Sequence, residues 1–179
     1  MFAASWNPSP LRETDRQPKD RRMPHESSAR FRAATIADVA LVRDIVHAAY
    51  SKWIPVIGRE PSPMKADYDE ALQKHQFTLL YLDTEIAGLI ETILENDHLW
   101  IENVCVVPAQ QGKGLGKILL HHAEQAARQA GHNETRLLTN AAFEANIALY
   151  QRLGYVITEQ EPYMGGTTVY MRKHLALDL

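Results

Sequence analysis

Apolar residues recur along this chain with two different periods, and the changes of period mark its elements. "RFRAAT" alternates and predicts a first strand from Phe31. Thr35, with Asp38 three residues on, has the form of a helix start, and Val39, Leu41, Val42, Ile45, Val46 and Ala49 follow at helical spacing. "SKWIPVIGREPSPM" is interrupted by prolines and predicts a loop or broken helix, and "MKADYDEALQKH" a short helix. "FTLLYLD" and "EIAGLIETILE" form a hairpin around Asp83 and Thr84, with "HLWIENVCVV" as a third consecutive strand. A long helix over 115–130 ends at Gly131, with Leu115, Ile118, Leu119, His122, Ala123, Ala126, Ala127 and Ala130 on one stripe. "ETRLLTN" is a strand, "EANIALYQRLG" a helix closed by Gly154, and "YVITEQ" and "TTVYMRKHL" the final strands.

The predicted order is βααβββαβαββ. Its one crossover runs from strand 98–107 through helix 115–130 to strand 135–139, which implies one parallel pair in a mostly antiparallel sheet of an α/β (mixed α+β) domain. Residues 1–30 carry Pro8, Pro10, Pro18 and Pro24 and few branched apolar side chains, so a flexible tail is expected there, followed by a single domain over 31–179.

Charge and composition narrow the classes of function. A net charge of −3 with no basic stripe argues against a nucleic-acid partner. The single cysteine, Cys105, rules out an intrachain disulfide and a thiolate metal cluster, and His121-His122 lacks a third ligand at a recognisable spacing, so no metal is expected. No apolar run approaches the roughly 18 residues that span a bilayer, and no secretory signal pattern opens the chain. The expectation is a cytoplasmic protein with no membrane partner.

The chemistry concentrates in "QGKGLGK", residues 111–117, at the mouth of the long helix. Glycine there costs about 0.5–1 kcal/mol relative to alanine, so something should need bare backbone. A helix N-terminus presents unpaired N–H groups and the positive end of the dipole. Gly112, Gly114 and Gly116 would let an anion approach them, with Lys113 and Lys117 adding charge, which describes a phosphate cradle. The spacing fits neither a Walker A loop nor a dinucleotide fingerprint. The glycines would equally serve a tight strand-to-helix turn.

"VCVVPAQQGKGLGKILL", with Gln111-x-x-Gly114-x-Gly116, and "NIALYQRLGY" some thirty residues later together resemble the GNAT superfamily of N-acetyltransferases over about residues 31–174. The resemblance implies a twisted sheet whose parallel pair splays apart to admit acetyl-CoA. It implies that amides from Gly112 through Lys113, Gly114, Leu115 and Gly116 to Lys117 bind the pyrophosphate. It implies that main-chain groups of Val104, Cys105 and Val106 line the pantetheine arm. Many members carry Asn where this chain has Phe143; Asn146 and Thr139-Asn140 fit a subgroup reading "TN…ENIALYxRLGY", which makes Asn140 and Asn146 candidate cofactor contacts.

Within that resemblance Tyr150 is the expected proton donor to the leaving thiolate, although beside Leu149 and Leu153 it also fits an aromatic core position. Glu102 stands two and four residues from Val104 and Val106, so it is expected on their face of the strand, where burial would raise its pKa toward that of a useful base. A structural carboxylate paired with a cation fits equally. Cys105 has the opposite parity and is expected in the core. Trp53, Arg59 and Tyr68 lie in the proline-broken segment or just beyond it, where such a fold places acceptor-binding structure; they could equally pack that segment onto the sheet. The expected acceptor is a small-molecule amine. A peptide or protein amine, and a non-catalytic acyl-CoA sensor, are the alternatives. Members of this fold pair as dimers, so a homodimer is compatible.

Overall fold

In a computed structural model the described residues are 29–176. The tail expected over 1–30 therefore falls almost wholly outside them, except that Ala29 and Arg30 already belong to the first strand.

Seven strands form one sheet: β1 (Ala29–Ala33), β2 (Gln76–Leu82), β3 (Glu85–Leu94), β4 (Leu99–Val106), β5 (Glu134–Asn140), β6 (Val156–Tyr163) and β7 (Gly166–His174). Their spatial order is β1-β2-β3-β4-β5-β7-β6, and every neighbouring pair is antiparallel except β4 and β5. The helices are α1 (Val39–Tyr50), the four-residue α2 (Ile54–Ile57), α3 (Tyr68–Lys74), α4 (Leu115–Gln129) and α5 (Glu144–Arg152). The proline-broken segment thus holds the short turn α2, closed by Gly58 in the left-handed region.

The sheet is covered on both faces. Val42, Ile45 and Val46 of α1 and Tyr68 and Ala71 of α3 bury against Phe77, Leu79, Leu89 and Cys105. On the other face Leu115, Leu119, Leu120 and Ala123 of α4 and Tyr150 of α5 pack on Ile90, Leu99, Ile101 and Leu137. Helix α4 is rotated relative to the stripe expected of it: Ile118 faces outward, while Leu120 and Glu124 are buried. A buried carboxylate needs a partner, and Lys173 Nζ from β7 supplies one to Glu124 at 2.7 Å.

Asp38 accepts the Thr35 N–H at 2.8 Å and pairs with Arg32 at the same distance, which anchors the start of α1 to β1.

Two irregularities shape the centre of the sheet. The β3–β4 register steps from Glu91↔Asn103 to Thr92↔Ile101, so Glu102 is passed over as a bulge. The parallel β4–β5 ladder holds Leu99↔Thr135, Trp100↔Arg136 and Ile101↔Leu137 and goes no further. The two strands therefore part at the bulge.

Candidate active site

Beyond Ile101, β4 keeps β3 on one side and faces an opening on the other. The Val107 N–H bonds to Ala87 O at 2.9 Å, toward β3. The adjoining Val106 carbonyl points the other way, where no strand meets it, and Gln111 Nε2 donates to it at 2.9 Å. This bond ties the glycine loop to the end of β4. Lys52 Nζ, reaching over from the end of α1, donates to Gln111 Oε1 at 2.8 Å.

The glycines serve two purposes. Gly112 and Gly114 have φ of 78° and 79°, a region costly for any residue with a Cβ. A Cβ on either would meet open space, so the conformation, not crowding, demands glycine. Gly116 has an ordinary φ, but a Cβ there would lie 3.3 Å from Leu149 Cδ2, so this glycine lets α4 and α5 approach. The amides of Lys117 and Ile118 both bond to Gly114 O, and the helix ladder starts there. The amides ahead of it are those that helix geometry leaves without an internal partner.

They open on a cleft of ≈ 500 Å³. Its walls include Val104, Cys105 and Val106 of β4, Gln111, Gly112, Gly114, Leu115, Gly116 and Lys117 of the loop and helix mouth, and Asn146 and Tyr150 of α5. Lys113 is turned away, with Nζ 2.8 Å from Gln110 Oε1 on the surface. A diphosphate suits this wall chemically: alternating left-handed glycines turn successive N–H groups to one side, and Lys117 adds a cation.

A second, smaller cavity of ≈ 120 Å³ lies where β4 and β5 part. Ile101, Glu102 and Asn103 form one side, Leu137, Leu138 and Thr139 the other, and Arg59 reaches in from the loop after α2 and Tyr163 from the end of β6. The two cavities share Tyr50, Val104, Asn146 and Tyr150 in their walls.

Tyr150 is buried, and burial pushes its hydroxyl up to about 12. Its ring packs 5.9 Å from Tyr155 in the core, and the residue lines both cavities.

Glu102 departs from expectation. The bulge interrupts the alternation on which its placement rested: Ile101 packs toward α4, and Cys105 toward α1 and α3. Glu102 is exposed, and its Oε2 accepts the Trp100 indole N–H at 2.7 Å. The buried carboxylate of this region is instead Glu91, directly across from Asn103. Burial raises its pKa, and His75 Nδ1 lies 2.6 Å from its Oε1.

Tyr68 needs correction, and Trp53 and Asn140 each line one cavity and not the other. Tyr68 is core: it is almost fully buried and donates its hydroxyl to Pro63 O at 2.7 Å. Trp53 lies on the larger cleft, stacked on Phe143 with ring centroids 4.2 Å apart, and not on the smaller cavity. Asn140 lines the smaller cavity, and its Oδ1 accepts the Ala142 N–H at 2.9 Å, so it stands apart from the loop it was grouped with. Cys105 is buried as expected, and burial pushes its thiol up, which makes it a poor nucleophile. Sequence reasoning overlooked Asn103 and Tyr50. A polar residue in the middle of an apolar strand was the available signal for Asn103.

The model of the acetyltransferase (GNAT) family matches residues 42–155, a span that begins within α1 and contains β4, the glycine loop, α4, β5 and α5. The chain belongs to the GNAT acetyltransferase family. A streptothricin acetyltransferase of Streptomyces lavendulae is 30% identical over 88 residues, which are 48% of this chain and 47% of that one. An L-amino acid N-acyltransferase of Escherichia coli is 37% identical over 68 residues, 38% of this chain and 40% of that one. The chain thus spans about half or less of the length of these curated relatives. The PaiA N-acetyltransferase of Thermoplasma acidophilum, solved with coenzyme A, superposes with a TM-score of 0.69 at 17% identity, over 82% of this chain and 99% of that one. At that identity the likeness is one of fold. Among the described residues no helix is long and apolar enough to cross a membrane, and no cluster of three or more His, Cys, Asp or Glu could hold a metal ion.

Proposed function

We propose that this GNAT family member transfers the acetyl group of acetyl-CoA to the amine of a small molecule. One observation carries the reading: the cleft at the glycine loop and the cavity between β4 and β5 meet at a common wall that holds Tyr150. The two curated relatives bear the names of small-molecule acceptors, streptothricin and L-amino acids, which supports the choice of acceptor.

In this reading the amides of 112–117 and the Lys117 ammonium hold the pyrophosphate, and main-chain groups of Val104 and Val106 orient the arm that follows it. Acetyl-CoA supplies an activated thioester at the shared wall. Tyr150 keeps its proton to about pH 12, so its Oη is a donor throughout the working range of an enzyme. Asn146, in the wall of both cavities, offers a further polar contact. Glu102, at the rim of the acceptor cavity, attracts the acceptor's ammonium and passes its proton to solvent. A lysine-like amine has a pKa near 10.4, so the amine must lose that proton before it can attack. An exposed carboxylate does this through water.

Calorimetry with coenzyme A, followed by release of free thiol from acetyl-CoA across a broad amine panel, tests the reading. Binding with turnover on small amines is expected. Binding without consumption of any amine would favour an acyl-CoA sensor, turnover on peptides alone would favour a protein acetyltransferase, and no uptake of coenzyme A would remove the basis of the reading.

A further inference from the structure

The smaller cavity carries one cation and one anion in its walls, Arg59 and Glu102. Among the described residues neither has a partner of opposite charge. Arg59 Nη1 donates to Glu60 O at 3.3 Å, and its guanidinium stands 5.7 Å from the centre of the Tyr163 ring. Among the described residues no carboxylate pairs with it. Among the described residues Glu102 accepts the neutral Trp100 indole, and no ion pair joins it to Arg59.

This is an unusual arrangement for surface side chains that serve only solubility. Arginine stacked over an aromatic ring has little freedom left to lose, and its outer N–H groups stay aimed for a planar anion. Two opposite charges on one cavity that do not meet each other form a complement for a ligand carrying both signs. Ile57, Pro61, Ser62 and Pro63 line the cavity near Arg59, and none of them carries a charge.

We infer that the acceptor is an amino-carboxylate: Arg59 holds its carboxylate while Glu102 holds its amine beside Tyr150. The inference rests on the proposed acetyl transfer and names its substrate class. Arg59 thereby becomes the residue that sets specificity, because an acceptor without the anion leaves the guanidinium desolvated and unpaired.

Matched pairs test it: L-amino acids and ω-amino acids, each against its own carboxamide, with acetyl-CoA and thiol release as readout. A parallel titration follows Trp fluorescence in the presence of coenzyme A, since Trp100 touches Glu102. The free acid is expected to exceed its amide in kcat/KM by about tenfold or more, the worth of one charge-assisted hydrogen bond. Arg59→Gln should collapse that ratio toward one, and Arg59→Lys should retain part of it. Amides that serve as well as acids in the native protein would overturn the inference, as would an Arg59→Gln variant that lowers both members of each pair in equal proportion. The two readings fail separately. Turnover without acid preference sinks the amino-carboxylate and leaves acetyl transfer standing. Acid-selective binding without turnover keeps the amino-carboxylate site and sinks acetyl transfer. Neither turnover nor acid binding sinks both.

Discussion

The Tyr50 hydroxyl donates a 2.8 Å hydrogen bond to Asn103 Oδ1, joining the last residue of α1 to β4 one position past the bulge. The same oxygen accepts from Cys105 Sγ at 3.1 Å, and Asn103 Nδ2 donates to Tyr68 Oη at 3.4 Å. Tyr68 in turn bonds to Pro63 O, so a polar thread runs from the loop beside the acceptor cavity to the strand that bounds it. Asn103→Leu strands these groups in a dry setting. It is expected to cost about 1–3 kcal/mol in urea denaturation, and to lower kcat/KM for the amine more than affinity for coenzyme A. An unchanged denaturation midpoint would mean that the thread is not structural.

Gly88 and Gly114 predict opposite kinds of damage. A Cβ at Gly88 would lie 2.3 Å from the Cys105 carbonyl oxygen, where β3 crowds β4, and backbone cannot yield cheaply. Gly88→Ala is expected to destabilise by about 1–3 kcal/mol, as overpacking does. Gly114→Ala meets no atom, only its φ of 79°, a strain of about 1–2 kcal/mol that falls on the loop itself. Melting curves and calorimetry separate the two: Gly88→Ala should show the larger loss of stability, and Gly114→Ala the larger loss of coenzyme A affinity relative to its loss of stability.

These two glycines also show what the sequence made legible. Gly112, Gly114 and Gly116 announce themselves by spacing before an amphipathic helix, and the order of strands and helices follows from periods of two and 3.6. Gly88 sits in an ordinary strand, and its necessity depends on how closely a neighbour lies. Glu102 shows a second limit. Alternation locates a face only while the register is unbroken, and one passed-over residue separates Ile101 from Cys105 onto opposite sides of the sheet. Tyr68 and Trp53 were read from a segment whose path depends on tertiary packing, so their partners Pro63 and Phe143 were out of reach of local pattern.

Tyr150→Phe tests the proton donor. The hydroxyl titrates near 12 because it is buried, so its protonated form persists across neutral and moderately alkaline pH. A donor so placed gives no alkaline loss of rate below about pH 11, and any earlier limb in kcat/KM belongs to another group. Removing the hydroxyl is expected to lower kcat by about 10²-fold or more, with coenzyme A affinity changed little. A Phe variant as fast as the native protein would leave Tyr150 with its core role alone.

Glu91 supplies a pH test with a definite sign. Burial raises its pKa above the unfolded carboxylate value near 4.3. His75, 2.6 Å away, opposes the rise, and the charge on Glu102 adds to it. Between the unfolded and folded values the native state holds the extra proton, so stability falls as pH rises. The contribution is fully present below the ordinary carboxylate range and is lost as pH climbs through the raised value. Glu91→Gln keeps the shape and removes the titration. The difference in unfolding free energy, variant minus native, should therefore move in favour of the variant as pH rises above the ordinary carboxylate range. Glu102→Gln removes the neighbouring negative charge, which lets Glu91 ionise more readily and shifts the native decline toward lower pH. Denaturation curves at several pH values decide it: a Glu91→Gln difference that stays flat, or moves toward the native protein, contradicts a carboxyl whose pKa burial raises.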